Sequence, residues 1–224
     1  MSFKFYVSGY SCNEAKKLWN ETMIYLKNSD FATFLVDGLT YAAETIHVCI
    51  AKDTENGYAH PKDTDKSGAD GGYVVWNPES KTVVLNQKNI IFKKEVISPK
   101  LALLHELAHA HQYLTEKDRY IQAKAEGNST DWLERNVVAA VEHTVANELN
   151  KNIKAKEGIR WEYEDVKALS TKEQTKMQQQ DNNTANIFGD LRKNIVGQVA
   201  IGYLTLEPPS FVRQTQKTRP EDSR

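Results

Sequence analysis

Ser98-Pro99-Lys100-Leu101-Ala102-Leu103-Leu104-His105-Glu106-Leu107-Ala108-His109-Ala110-His111-Gln112 combines a helix start with a metal-binding spacing. The Ser98 oxygen can cap free backbone amides, and proline at the first helical position sacrifices no hydrogen bond. The leucines and alanines that follow predict a helix to about Leu114. Within it, His105-Glu106-Leu107-Ala108-His109 matches H-E-x-x-H. Four residues turn an α-helix through about 400°, so His105 and His109 leave one face a single turn apart, within reach of one zinc ion. Glu106 lies about 100° round that surface, placed to accept a proton from water as a general base without ligating the metal. So short a motif can arise by chance, yet two histidines and a glutamate fit poorly in a stretch otherwise as apolar as a core helix.

Zinc with an open catalytic position needs a third protein ligand. The H-x-x-G-x-x-H continuation is absent, with Gln112 standing in place of its glycine. The ligand is therefore expected on a second helix, capped by Asp131 and running to about Lys151, whose apolar stripe is Val137, Val138, Val141, Val145 and Leu149. Its candidates are Glu134, Glu142, His143 and Glu148. Counting about 100° per residue from Val137 puts Glu148 and Glu134 inside the apolar arc and Glu142 at its edge. Treating the two helices as an antiparallel hairpin instead sets Glu142 opposite the motif. Glu142 is the expected third ligand and Glu134 and Glu148 are the alternatives. A glutamate not used as a ligand is expected to orient a histidine ring nitrogen.

Outward from this core, residues 13–27 and 31–43 carry helical periodicity, with Ser11 and Asn13 as caps for the first helix, and residues 44–50 read as a strand. Residues 53–72 form a long polar loop. Residues 71–78 predict a strand ending in an Asn-Pro turn, with residues 82–85 as its hairpin partner. Tyr73 to Trp76 is either an edge strand that could pair with an extended peptide or a core strand. Residues 116–130 read as a connection. The expected class is α+β, in a single domain over 1–224. It divides into a helical and β part at 1–97, a metal-binding helical core at 98–170, and a C-terminal extension, partly helical, at 171–224.

With 29 basic and 30 acidic residues the net charge is -1, which argues against a charge-driven nucleic-acid binder. No apolar run approaches the ~20 residues of a membrane span, and mean hydropathy is -0.61. No cleavable signal is read at the start of the chain. Cys12 and Cys49 cannot build a disulfide framework and fit synthesis in a reducing cytoplasm.

Leu103-Leu104-His105-Glu106-Leu107-Ala108-His109-Ala110, Glu142-His143-Thr144-Val145-Ala146-Asn147-Glu148-Leu149 and Arg160-Trp161-Glu162-Tyr163, with Tyr73-Val74-Val75-Trp76-Asn77-Pro78 before them, resemble the H-E-x-x-H metallopeptidase effectors of bacterial type III secretion. Toxin modules of type VI secretion are similar. The resemblance covers about residues 70 to 165. It departs at His143, at Asn150 and in the spacing between Leu149 and Arg160. It implies a zincin-like, gluzincin-like fold and a zinc endopeptidase, with His105 and His109 as ligands, Glu106 as base and a downstream glutamate completing the site. Arg160 and Tyr163 would then lie near the substrate, where a donor can stabilise charge on the carbonyl oxygen. The implied partners are a protein or peptide substrate and a secretion chaperone or immunity protein, with no nucleic acid and no membrane. Delivery into a target cell is implied in the same way.

Two other readings compete. A di-iron carboxylate bundle needs two E-x-x-H motifs, and only Glu106-x-x-His109 is present. A non-catalytic, metal-stabilised interaction module is the second alternative, but it has no use for Glu106. His47, His60 and His111 are expected to be strand, solvent or supporting histidines, not ligands.

Overall fold

Phe3, Phe5 and Val7 alternate with Lys4, Tyr6 and Ser8 in strand β1 (Phe3–Ser8), an element beyond those expected from the sequence. In this computed structural model, residues 3–61, 68–80, 82–88, 91–126 and 130–159 are described. After β1 come α1 (Cys12–Leu26), α2 (Asp30–Thr40), β2 (Ile46–Ala51), β3 (Gly57–Ala59), β4 (Tyr73–Trp76), β5 (Thr82–Lys88) and β6 (Ile91–Ile97). They are followed by α3 (Pro99–Thr115), α4 (Lys117–Ala125), π-helical stretches at Thr130–Glu134 and Val137–Glu142, and α5 (His143–Ile153). The class is α+β. Arg160, Tyr163 and the whole 171–224 extension lie outside the described residues. Among the described residues, no helix is long and apolar enough to cross a membrane.

The main sheet has the order β1-β2-β4-β3. β1, β2 and β4 run parallel, with Phe3 opposite Ile46 and Val48 opposite Val74, while β3 is antiparallel to β4 at the edge. Parallel neighbours require a crossover, and α1 with α2 supply the one between β1 and β2. Each of these helices is started by a serine: Ser11 Oγ accepts from the Glu14 amide in a capping box, and Ser29 Oγ from the Ala32 amide. Their apolar faces, including Trp19, Met23, Leu35 and Leu39, bury against Phe5, Val48 and Ile50 of the sheet. Trp19 meets Phe5 edge to face at 4.7 Å between ring centroids.

Of the two readings of Tyr73 to Trp76 the core strand is the one found, and one pairing differs from expectation. β4 is a core strand flanked on both sides, so the free edge of this sheet on that side belongs to β3. β5 pairs with β6 in a separate hairpin, Thr82 opposite Ile97, and not with β4. Local hairpin reasoning joins consecutive strands, whereas β4 finds its partners across long loops. Gly72, with φ of +88°, lets the chain enter β4 close to β3: a Cβ there would stand 2.5 Å from the Tyr58 hydroxyl.

Helix α3 begins as expected, with Ser98 Oγ accepting from the Leu101 amide and Pro99 in the first turn. Trp76 Nε1 donates to the Pro99 carbonyl at 2.8 Å, fixing the end of β4 to the start of the helix. The buried Glu157 carboxylate secures the same corner, accepting from the Ser98 amide at 2.9 Å and from the Tyr25 hydroxyl. Residues 117–125 are helical and not a plain connection. Tyr120 and Ala123, one turn apart, are buried, and Tyr120 packs among Tyr58, His60 and Tyr113.

Candidate metal centre

His105 and His109 project from one face of α3, with ring centroids 4.7 Å apart and Nε2 atoms 3.1 Å apart. Facing them is Glu134, whose Oε2 lies 3.2 Å from His105 Nε2 and whose Oε1 lies 3.1 Å from His109 Nε2. One donor atom from each of the three residues falls within 4.8 Å of the others, a group that could hold a metal ion.

Glu142, the expected third ligand, is elsewhere. Its Oε1 is 2.6 Å from His105 Nδ1, on the ring edge turned away from the cluster. Glu148 is farther still from that role: it accepts from Ser29 Oγ and, at 3.2 Å, from the Phe31 amide, at the start of α2. The hairpin count favouring Glu142 fails because α4 intervenes between the two helices, so their turns do not match residue for residue. The wheel sets Glu134 and Glu148 inside the apolar arc, and of these two Glu134 is the one beside the histidines. A π-helical residue, bonded i to i+5, turns the chain less than the 100° of an α-helix. Glu134 and Glu142 would stand about 80° apart on a regular helix, but here both reach α3.

The hydrogen bonds assign the ring protons. Gln112 Nε2 donates to the Leu133 carbonyl at 3.2 Å, which turns its Oε1 toward His109 Nδ1 at 3.1 Å. An amide oxygen only accepts, so His109 Nδ1 carries the proton. The Glu142 carboxylate likewise accepts from His105 Nδ1. Both rings are thereby left with an Nε2 lone pair directed at the other and at a carboxylate. Three electron-rich groups at such distances repel unless a cation lies among them.

The electrostatics report the same demand. Burial alone would lower the His105 pKa, but the Glu142 and Glu134 charges raise it well above its ordinary value, so that a proton is drawn into the cluster. Burial would raise Glu134, yet the two histidines hold it well below the usual carboxylate range. Glu106 is different. It is buried beside both histidines, and the loss of solvation raises its pKa despite them, with Glu134 and Glu142 adding to the rise.

The remaining histidines stay out of the cluster. His47 is buried in β2, its Nδ1 3.0 Å from the Tyr6 hydroxyl, and His60 stacks on Tyr113. His111 lies against Gly38 of α2, with burial lowering its pKa. Gln112 is the site residue that spacing rules pass over; its signal is a polar side chain three positions beyond His109, within reach on the next turn.

No protein-family model matches this chain, and no curated protein or solved structure does either.

Proposed function

We propose that the chain is a zinc-dependent metallopeptidase of zincin-like fold, in which His105, His109 and Glu134 hold the metal. The observation that carries this reading is the convergence of three donors beside a buried glutamate whose position in the motif suits a base. Zinc held tetrahedrally at about 2.0–2.1 Å spaces its ligand atoms about 3.3–3.4 Å apart. The two Nε2 atoms, 3.1 Å apart, come within about 0.3 Å of that, and each has a different Glu134 oxygen at 3.1–3.2 Å, so the carboxylate is close enough to both to supply the third donor. Two imidazoles and one carboxylate also make the donor set of catalytic zinc sites that keep a fourth position open. Bound there, zinc would supply Lewis acidity for activating water and polarising a peptide carbonyl.

The protein's own groups do the proton work. Glu106 takes a proton from the attacking water at its carboxylate as the new C–O bond forms, and passes it to the departing amine nitrogen as the C–N bond breaks. Its raised pKa brings its proton affinity nearer neutrality, which suits a group that must both accept and release. α3 lies against β3 and β4, which seats the motif helix at the edge of the sheet. A purely structural metal site would gain nothing from Glu106. Action as a secreted bacterial effector or toxin, with a chaperone or immunity partner, rests on the resemblance of the sequence motifs.

The test is metal content and peptide cleavage measured together. Wild-type protein is expected to hold about one zinc per chain and to cleave members of a diverse peptide pool. Glu106→Gln is expected to keep the zinc and lose about 10²–10⁴-fold in rate. Metal-free wild-type protein, or an undiminished Glu106→Gln rate, overturns the reading.

A further inference from the structure

Gln112 uses both ends of its amide. Its nitrogen donates to the carbonyl of Leu133, the residue before Glu134, and its oxygen accepts from His109 Nδ1. A glutamine that merely tied α3 to its neighbour would need one of these bonds. The pair instead joins two members of the donor group through one planar unit, whose ends cannot be exchanged without facing N–H against N–H and oxygen against carbonyl. Leu133 is buried and its carbonyl belongs to the first π-helical stretch, where the backbone is not held by a regular α-helical ladder. The Gln112 bond thus grips the backbone of that stretch one residue before Glu134.

We infer that Gln112 is a positioning residue of the metal centre, which holds His109 in the Nδ1–H form and, through the Leu133 carbonyl, sets Glu134 opposite it. The inference rests on the metal-site reading above. It makes Gln112 the counterpart of Glu142: one residue orients each histidine, and Gln112 alone also orients the carboxylate. Groups that orient a ligand in this way typically carry roughly 10–100-fold in metal affinity.

The experiment measures zinc affinity by competition with a chromophoric chelator, and follows the exchangeable imidazole N–H resonances of the cobalt-loaded protein. Wild type is expected to bind and to show one such resonance from each ligand histidine. Gln112→Met, similar in length but without donor or acceptor, is expected to bind roughly 10–100-fold more weakly and to lose the His109 resonance to exchange with water. Its loss in affinity is expected to shrink in a Glu134→Ala background, because the Leu133 bond then has no carboxylate to act through. Gln112→Glu keeps the acceptor and is expected to retain both resonances. Wild-type affinity with both resonances in Gln112→Met overturns the inference while leaving the metal site standing. Loss of the His109 resonance in Gln112→Glu overturns it even where Gln112→Met does not fold. A wild-type protein that binds no metal overturns the metal-site reading itself, and the inference with it.

Discussion

Helix α3 and the helix opposite it carry the two halves of one site, yet they follow different rules. α3 is regular, started by Ser98 and Pro99, and its two histidines lie where 3.6 residues per turn puts them. The opposite helix passes through two π-helical stretches before α5. Its three glutamates take three separate tasks: Glu134 faces both histidines, Glu142 holds the far edge of His105, and Glu148 caps α2. Spacing on a regular helix is a reliable guide to which side chains meet. Where the hydrogen bonds run i to i+5, each residue turns less, and the same count of residues ends on a different face.

The sharpest way to break this comparison is to remove the two acidic groups separately. Glu134→Ala deletes a donor and is expected to weaken zinc binding by more than about 100-fold, whereas Glu142→Ala frees a ring and is expected to cost roughly 10–100-fold. Chelator competition ranks them, and the reverse order would show that Glu142 is the ligand. Deleting Ala140, exposed in the second π-helical stretch, tests the turn itself. With the extra residue gone the stretch is expected to close into α-helix, and the seven positions then separating Glu134 from Glu142 turn about 700°, which keeps both on one face. Zinc affinity is therefore expected to stay within about tenfold of wild type. A larger fall, with helical circular dichroism unchanged, would show that the site needs the π geometry itself.

Acidity gives a graded effect. Burial lowers the His105 pKa, but Glu142 and Glu134 raise it well above its ordinary value of 6.5, so the metal-free protein holds that proton to higher pH than a free imidazole does. The proton's contribution to stability is complete below the unfolded value and fades as pH rises through the folded one. A metal must displace it, so apparent zinc affinity is expected to rise by up to about tenfold per pH unit until the folded pKa is passed. Calorimetric titration in buffers of different ionisation enthalpy counts the proton, and no proton release would contradict the arrangement. The smallest effect is expected at Glu148. Glu148→Gln removes charge from the start of α2 and should lower stability by about 1 kcal/mol in a denaturant melt, with zinc affinity unchanged.

Much of the local structure is legible in the residues. The serine caps of α1 and α3, the H-E-x-x-H face, the amphipathic helices and β2 all follow from short-range rules. β1 carries its own period-two signal in Phe3, Phe5 and Val7. α4 is harder to read, because only Tyr120 and Ala123 mark its buried side within a strongly charged segment. The place of β4 between β2 and β3 is not local at all, since parallel pairing leaves no turn motif to find.

For the site, the residue types and the i, i+4 spacing suffice to name His105, His109 and Glu106, because a helix's own hydrogen bonds set which way its side chains point. The choice among Glu134, Glu142 and Glu148 belongs to another level. It depends on how α4 offsets the second helix, on how far the π-helical stretches turn it, and on a Gln112 amide reaching across to the Leu133 carbonyl. Each of these is a contact between segments distant along the chain, settled by packing and hydrogen-bond satisfaction together and by no spacing rule within either helix.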